Sequence, residues 1–470
     1  MPKALILAAR ASGDAFNATN YISIAGSPAN SSTEAWVQVT SRTAGTFSNM
    51  AIRFSANSST STTLVFRKNA TTVNQTVSFG NAETGQKEDT TNTDTISAGD
   101  AVNFQVSSKT NTVTIVTSGV LFSSSTSTDT VTLCSCDTSV SYSGATATSS
   151  FNVLVGGLSL GASEAICKCR IRKSFTGGFL ASYLSTGSAS TSTTSKSRKN
   201  GADGNLTLTF NTNETGLKED TTHTDSLAAD DDYCTQTVSA TGVVQKFTKL
   251  ELLSTNGDVY ETAGSGATVQ QADAGTSYTS ISGLGVLTTT ETSSRLTSIY
   301  DADVTVSEAW IQVTANDVSS ASTFAYRDAG STSALTISIT GNITGVFTDT
   351  SHTVTCSADE GMNMIFTVPS VSGNHSVSAK CWGVNVLAPA ELTQVNQSFT
   401  HLYKIIGRAA QSFTHKYKII GRAAQTFTHL YKIRQLVNQS FTHLYKIRQL
   451  VNATKTHIYK IVGRASQTFT

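Results

Sequence analysis

Thr84-Gly85-Gln86-Lys87-Glu88-Asp89-Thr90-Thr91 returns 131 residues later as Thr215-Gly216-Leu217-Lys218-Glu219-Asp220-Thr221-Thr222. A third form, Thr344-Gly345-Val346-Phe347-Thr348-Asp349-Thr350-Ser351, follows after a further 129. Phe66-Arg67-Lys68-Asn69 keeps step with it, as Ser197-Arg198-Lys199-Asn200 and, loosely, Tyr326-Arg327-Asp328. Thr33-Glu34-Ala35-Trp36-Val37-Gln38-Val39-Thr40 reappears as Ser163-Glu164-Ala165-Ile166-Cys167 and as Ser307-Glu308-Ala309-Trp310-Ile311-Gln312-Val313-Thr314. Motifs that keep their order in three copies mark three homologous domains.

Between these motifs lie short alternating segments such as Ala101–Val106 and Leu206–Phe210, broken by Gly, Asn, Ser and Asp. Alternation of this kind is the pattern of half-buried strands, and close turn spacing argues for an antiparallel sandwich or barrel. The expected fold is all-β: three tandem antiparallel β-sandwich, jelly-roll-like domains at residues 1–147, 148–290 and 291–388, then a repetitive tail at 389–470. Only 14% of the residues are charged, with Ser, Thr, Gly and Asn in the polar positions. Such a composition favours strands and turns over long soluble helices.

The net charge of +1 conceals an asymmetry. Residues 391–470 carry twelve Lys or Arg against one acid, Glu391, a net of +11, which leaves −10 on residues 1–390. A basic tail on an acidic body calls for an anionic partner. The candidates are the acidic body of a neighbouring copy, a glycan or membrane surface and, less favoured, nucleic acid. The apolar run Ala4–Ala9 is too short for a secretory core.

The tail repeats every 14 residues. Gln397-Ser398-Phe399-Thr400-His401-Leu402-Tyr403-Lys404-Ile405 sets the pattern. Phe413, His415 and Tyr417 follow, then Phe427, His429 and Tyr431, then Phe441, His443 and Tyr445. A fifth unit puts Lys455 in place of Phe but keeps His457 and Tyr459, and the chain stops at Thr470 inside a sixth. As strands, Phe399, His401, Tyr403 and Ile405 share one face, with Thr400, Leu402 and Lys404 on the other. A 14-residue period is also two heptads, so a coiled coil is the alternative. The β-branched and aromatic content favours strand. Either way a single unit cannot bury its apolar face and must stack on neighbours or another chain.

Little in the sequence suggests catalysis. No P-loop, GxSxG, HExxH or dinucleotide fingerprint occurs. No cofactor and no metal site is expected, and the reading is that the chain is not an enzyme. The weak metal candidates are Cys134-Ser-Cys136 and Cys167-Lys-Cys169, whose pairing at spacing two suits zinc but also suits one face of a strand. Asp89, Asp94, Asp220, Asp225 and Asp349 could offer oxygen ligands to calcium, though Asp and Thr also close turns unaided. Histidines at 401, 415, 429, 443 and 457 follow from repetition and read as stacked packing residues.

Several segments together resemble a domain frequent in bacteriophage and prophage virion proteins. They are Tyr21–Gly26, Thr33–Ala35, Gly45–Met50, Phe66–Asn69, and Asp89–Thr91 on to Ala98-Gly99-Asp100. That domain is similar to jelly rolls of the tumour-necrosis-factor type, which often trimerise. The Phe-Thr-His-x-Tyr-Lys-Ile array resembles repeat tails of phage structural proteins. The second copy departs from the pattern, lacking the Trp and ending in Ala229-Asp230-Asp231. The resemblance implies a virion structural protein of a tail, fibre or capsid-associated appendage. It would be located in the virion, with copies of itself (a trimer or filament), other virion proteins and host-surface glycans as partners. The alternative is an extracellular filament or adhesin subunit that binds surface glycans.

Overall fold

In a computed structural model, strands from distant parts of the chain pair to form each sandwich. The structure describes residues 3–16, 19–26, 30–107, 111–125, 130–134, 140–142, 148–152, 163–172, 174–187, 191–239, 243–254, 258–284, 286–297 and 303–387 of the body. In the tail it describes 397–405, 410–419, 425–433, 438–447, 453–461 and 466–469. The chain divides into two compact units, Met1–Pro389 and Ala390–Thr470.

The first unit is all-β, with single 3-10 turns at Glu34–Trp36, Glu164–Ile166 and Glu291–Ser293. In the first copy, strands Lys3–Phe16, Val113–Ser124, Gly45–Asn57 and Gly85–Ile96 lie side by side in that order. The second sheet of the sandwich runs Asn20–Ile22, Ala101–Ser107, Thr62–Lys68, Thr71–Phe79. First strand beside last, with the chain crossing between two sheets that each hold four of these strands, is the jelly-roll order. Alternation drives it: Phe47, Phe54, Phe66, Phe79, Phe104 and Phe122 all turn inward and are fully buried. Phe54 stacks on Phe79 at 4.0 Å, and Phe47 touches both Phe66 and Phe122.

The same order recurs in strands spanning 130–254 and 258–387. Thr130–Cys134 pairs with Val243–Ser254, and Asp258–Ala272 pairs with Ser376–Leu387. The cuts expected at 147/148 and 290/291 therefore fall inside jelly rolls, and each leaves a first strand with the preceding copy. Two causes explain the slip. The first strand pairs with the last across more than a hundred residues, so no local motif announces it. The match of Trp36 to Trp310 also misplaced the third copy. Glu34 sits on a 3-10 turn, whereas Glu308 lies within the strand Val304–Asn316 at a bulge with φ 56°. Its counterparts there are Asn49 (φ 52°) and Phe179 (φ 63°). The true third counterpart of Glu34 and Glu164 is Glu291.

The three jelly rolls contact one another in cyclic order. Arg42 of the first pairs with Glu219 of the second. Arg172 of the second reaches Glu308 of the third at 3.4 Å, and Trp310 and Cys381 of the third complete the second copy's core. The third closes on the first: Ala51 and Leu121 join its core, Arg53 Nε donates to Thr292 O at 3.1 Å, and Gln86 exchanges hydrogen bonds with the Thr297 backbone. Gly283–Leu284 pairs parallel to both Lys3–Phe16 and Asp258–Ala272, fusing two sheets into one of nine strands. A trimer-like ring is thus closed within a single chain.

The described residues of the tail unit are strands, with no helix among them. Gln397–Ile405, Gln425–Ile433 and Ala453–Ile461 form one parallel sheet. Ala410–Ile419, Asn438–Ile447 and Ser466–Phe469 form the other. The coiled-coil alternative is not adopted.

Candidate functional site

Every second tail unit pairs in perfect register. Phe399 lies level with Phe427, His401 with His429 and His457, and Tyr403 with Tyr431 and Tyr459. In the other sheet Phe413 meets Phe441, His415 meets His443, and Tyr417 meets Tyr445. The vertical neighbour is thus 28 residues away, two repeats, because alternate units serve alternate sheets. Identical residues then recur at the inter-strand spacing of roughly 4.8 Å. Lys404, Lys432 and Lys460 fall in one such row and Lys418 and Lys446 in another. Rows of like charge directly opposite one another destabilise a sheet unless anions or solvent screen them.

In the body, the repeated polar residues serve the fold. Each 3-10 turn presents a glutamate to an arginine at the end of a strand. Arg67 Nε lies 2.6 Å from Glu34 Oε1, with a second bond from Nη2 to Oε2 at 3.1 Å. Arg327–Glu291 repeats the forked contact, and Arg198 brings both Nε and Nη2 to Glu164 Oε2. Each arginine also donates to a turn carbonyl, of Ala70, Gly201 or Gly330. These pairs hold the 3-10 turn against the sheet. The near-equal separations of Glu34 from Arg67 and Glu164 from Arg198, 33 and 34 residues, were available in the sequence; the Glu308 match hid the third pair.

Asp89, Asp220 and Asp349 occupy bulges facing Met50, Leu180 and Ala309. Each reaches from one sheet to the other. Asp89 Oδ2 accepts from Thr76 N at 2.8 Å and from Asn92 Nδ2 at 2.9 Å, while Oδ1 accepts from the Thr91 hydroxyl and the Asn92 N–H, both at 3.0 Å. Thr207 N and Thr336 N fill the same role for Asp220 and Asp349, each at 2.9 Å. His223 and His352 stand where the first copy has Asn92, with Nδ1 2.9 Å from the carboxylate. Burial alone would raise these carboxyls. The converging donors outweigh it and bring Asp89 and Asp220 down to about 2, with Asp349 lowered too. Asp94 and Asp225 are likewise filled, Asp94 by the N–H groups of Asn74 and Gln75, Asp225 by Asn205 N and the Tyr233 hydroxyl. Carboxylate oxygens met by N–H and O–H donors are structural staples, not an oxygen cage for calcium.

Of the candidate cysteines, Cys136 lies outside the described residues, as does the side chain of Cys134. Cys167 and Cys169 are buried and join Cys234 and, from the third copy, Cys381 in one apolar core. Cys167 Sγ donates to Phe151 O at 3.3 Å and Cys381 Sγ to Lys168 O at 2.8 Å. Burial raises the thiols of Cys234 and Cys381. They pack as small apolar groups.

Sequence reading passed over one cluster. Asp328, Cys356 and Glu360 of the third copy bring their ligand atoms within 4.8 Å of one another. The signal was in the motif that carries Arg327: the lysine of the first two copies is replaced there by Asp328.

No protein-family model and no curated protein matches the sequence. Among solved structures, similar chains include one from the atomic structure of Sulfolobus turreted icosahedral virus, 12% identical, covering 73% of this chain and 79% of that one with a TM-score of 0.18. Another comes from work on the triple jelly-roll fold and turret assembly in an archaeal virus, 11% identical over 75% and 82% of the two chains with a TM-score of 0.17. Superpositions at this level carry no argument about what this chain does.

Proposed function

We propose that this chain is a structural protein of a virus particle. The body would be a building block, and the basic tail would join it to further copies or to other virion proteins. The observation that supports this most is the in-register stacking of the tail. Each rung repeats the hydrogen-bonding edge and the residue pattern of the one before, so a tail from another copy presents a matching edge. The body supports the same reading. A cyclic contact that closes within one chain leaves that surface unavailable for further growth. Association must therefore use other surfaces, and the tail offers a repetitive one. The polar residues that recur in all three copies are occupied in holding turns and sheets, which fits a scaffold better than an active site.

The test compares the full chain with a version ending at Pro389 by sedimentation and negative-stain electron microscopy. Association of the full chain, with single particles from the shortened one, is the expected result. Identical single particles from both would remove the tail from assembly.

A further inference from the structure

The three copies differ at one turn in a coordinated way. In the first, Lys68 Nζ lies 3.1 Å from Asp100 Oδ2, and Asn69 Nδ2 donates to Asp100 Oδ1 at 2.7 Å. In the second, Lys199 Nζ lies 3.0 Å from Asp231 Oδ2, and Asn200 Nδ2 donates to Asp231 Oδ1 at 2.6 Å. In the third the corresponding residues are Asp328, Ala329 and Glu360. The cation has become an anion and the amide donor is gone. Beneath them, Ile96 and Leu227 give way to Cys356, and Phe66 and Ser197 to Tyr326.

This places two carboxylates, a thiol and a phenol together. Asp328 Oδ1 is buried without a hydrogen-bond partner. So is the hydroxyl of Tyr326, a residue with 0% of its surface exposed, whose polar neighbours are the Cys356 thiol, Asp328 and Glu360. Glu360 keeps a single donor, Ser357 N to Oε2 at 3.0 Å. Facing carboxylates without a counter-charge repel, and shielding from water strengthens that repulsion.

We propose that Asp328, Cys356 and Glu360 bind a divalent cation of the zinc type, with Tyr326 closing the buried side of the site. One sulfur and two carboxylate oxygens suit a borderline ion such as Zn²⁺, whereas Ca²⁺ and Mg²⁺ take oxygen alone. On binding, the Cys356 S–H bond releases its proton to solvent and the sulfur lone pair bonds the ion, with no change of oxidation state. The ion takes the place of the lysine that the other two copies carry.

The full chain, stripped with a chelator, is titrated with Zn²⁺ alone by calorimetry and with Co²⁺ alone by absorption spectroscopy. Asp328→Lys rebuilds the ion pair of the other copies, so it should keep its fold, checked by circular dichroism. Cys356→Ile restores the residue of the first copy. The wild type should give a thiolate-to-cobalt charge-transfer band that both variants lose. Zinc affinity at this site should fall on the order of 100-fold in Asp328→Lys. Tail histidines and other cysteines also take these metals, so the difference between wild type and variants is what is read. A wild type without the band, or a band undiminished in Cys356→Ile, would overturn the proposal.

Discussion

Replacing Asp89 by Ala removes the acceptor that five donor groups share. Three come from backbone N–H groups, of Thr76 at 2.8 Å, Asn92 at 3.0 Å and Thr91 at 3.2 Å. The others are the Thr91 hydroxyl and the Asn92 amide. A hydrogen bond to a charged acceptor contributes about 1.5–3 kcal/mol, and a buried donor left unpaired costs about 1–3 kcal/mol. Thr91 and Asn92 can turn to water, while Thr76 N lies at the junction of the two sheets. The expected loss for Asp89→Ala is therefore about 3–4 kcal/mol. Asp89→Asn mimics the protonated acid and should cost about 2 kcal/mol. Linkage gives the same figure: a carboxyl lowered from 3.8 to about 2 contributes about 2 kcal/mol when ionised. Because the folded value lies below the unfolded one, this contribution is complete above about pH 4 and disappears as the pH falls through 2. Denaturant unfolding at pH 7, 4 and 2, with hydrogen exchange of the 71–79 strand, measures both quantities. A loss below about 1 kcal/mol for Asp89→Ala, or a gap between wild type and Asp89→Asn that does not narrow from pH 4 to pH 2, would refute the staple.

Two further outcomes follow from the same geometry. Arg67→Ala strands Glu34, which is only 14% exposed, and should cost about 3 kcal/mol by thermal unfolding, with Arg67→Lys recovering a part because one ammonium cannot make the fork. Iodoacetamide at pH 8 should leave Cys167, Cys169, Cys234, Cys356 and Cys381 unmodified in the native chain and label all five in denaturant, read by peptide mass spectrometry, since burial shields all five from the reagent and raises the thiols of Cys234, Cys356 and Cys381.

The sequence by itself determined the β character and the number of copies, and favoured strand over coiled coil in the tail. Each rests on local pattern. Alternation places Phe47, Leu64 and Phe104 inward whatever they face, and the tail's aromatic and β-branched content favours strand, with the coiled coil left as the alternative until the fold is seen. Asp89 and its two counterparts were visible as a motif, although a recurring Asp-Thr-Thr reads alike as a turn, a calcium loop or a staple until its donors are placed.

Only the tertiary structure decided where each copy begins, how the copies meet and what the repeated polar residues do. Asp258–Ala272 joins the third sandwich because its edge is completed by Ser376–Leu387, a partner that no nearby residue foretells. Glu308 and Glu34 share a sequence context but not a role, since one lies at a strand bulge and the other on a 3-10 turn. Asp328, Cys356 and Glu360 became a cluster only when the turn and two strands converged. Local pattern fixes which way a residue faces, and folding over a hundred residues fixes what it faces.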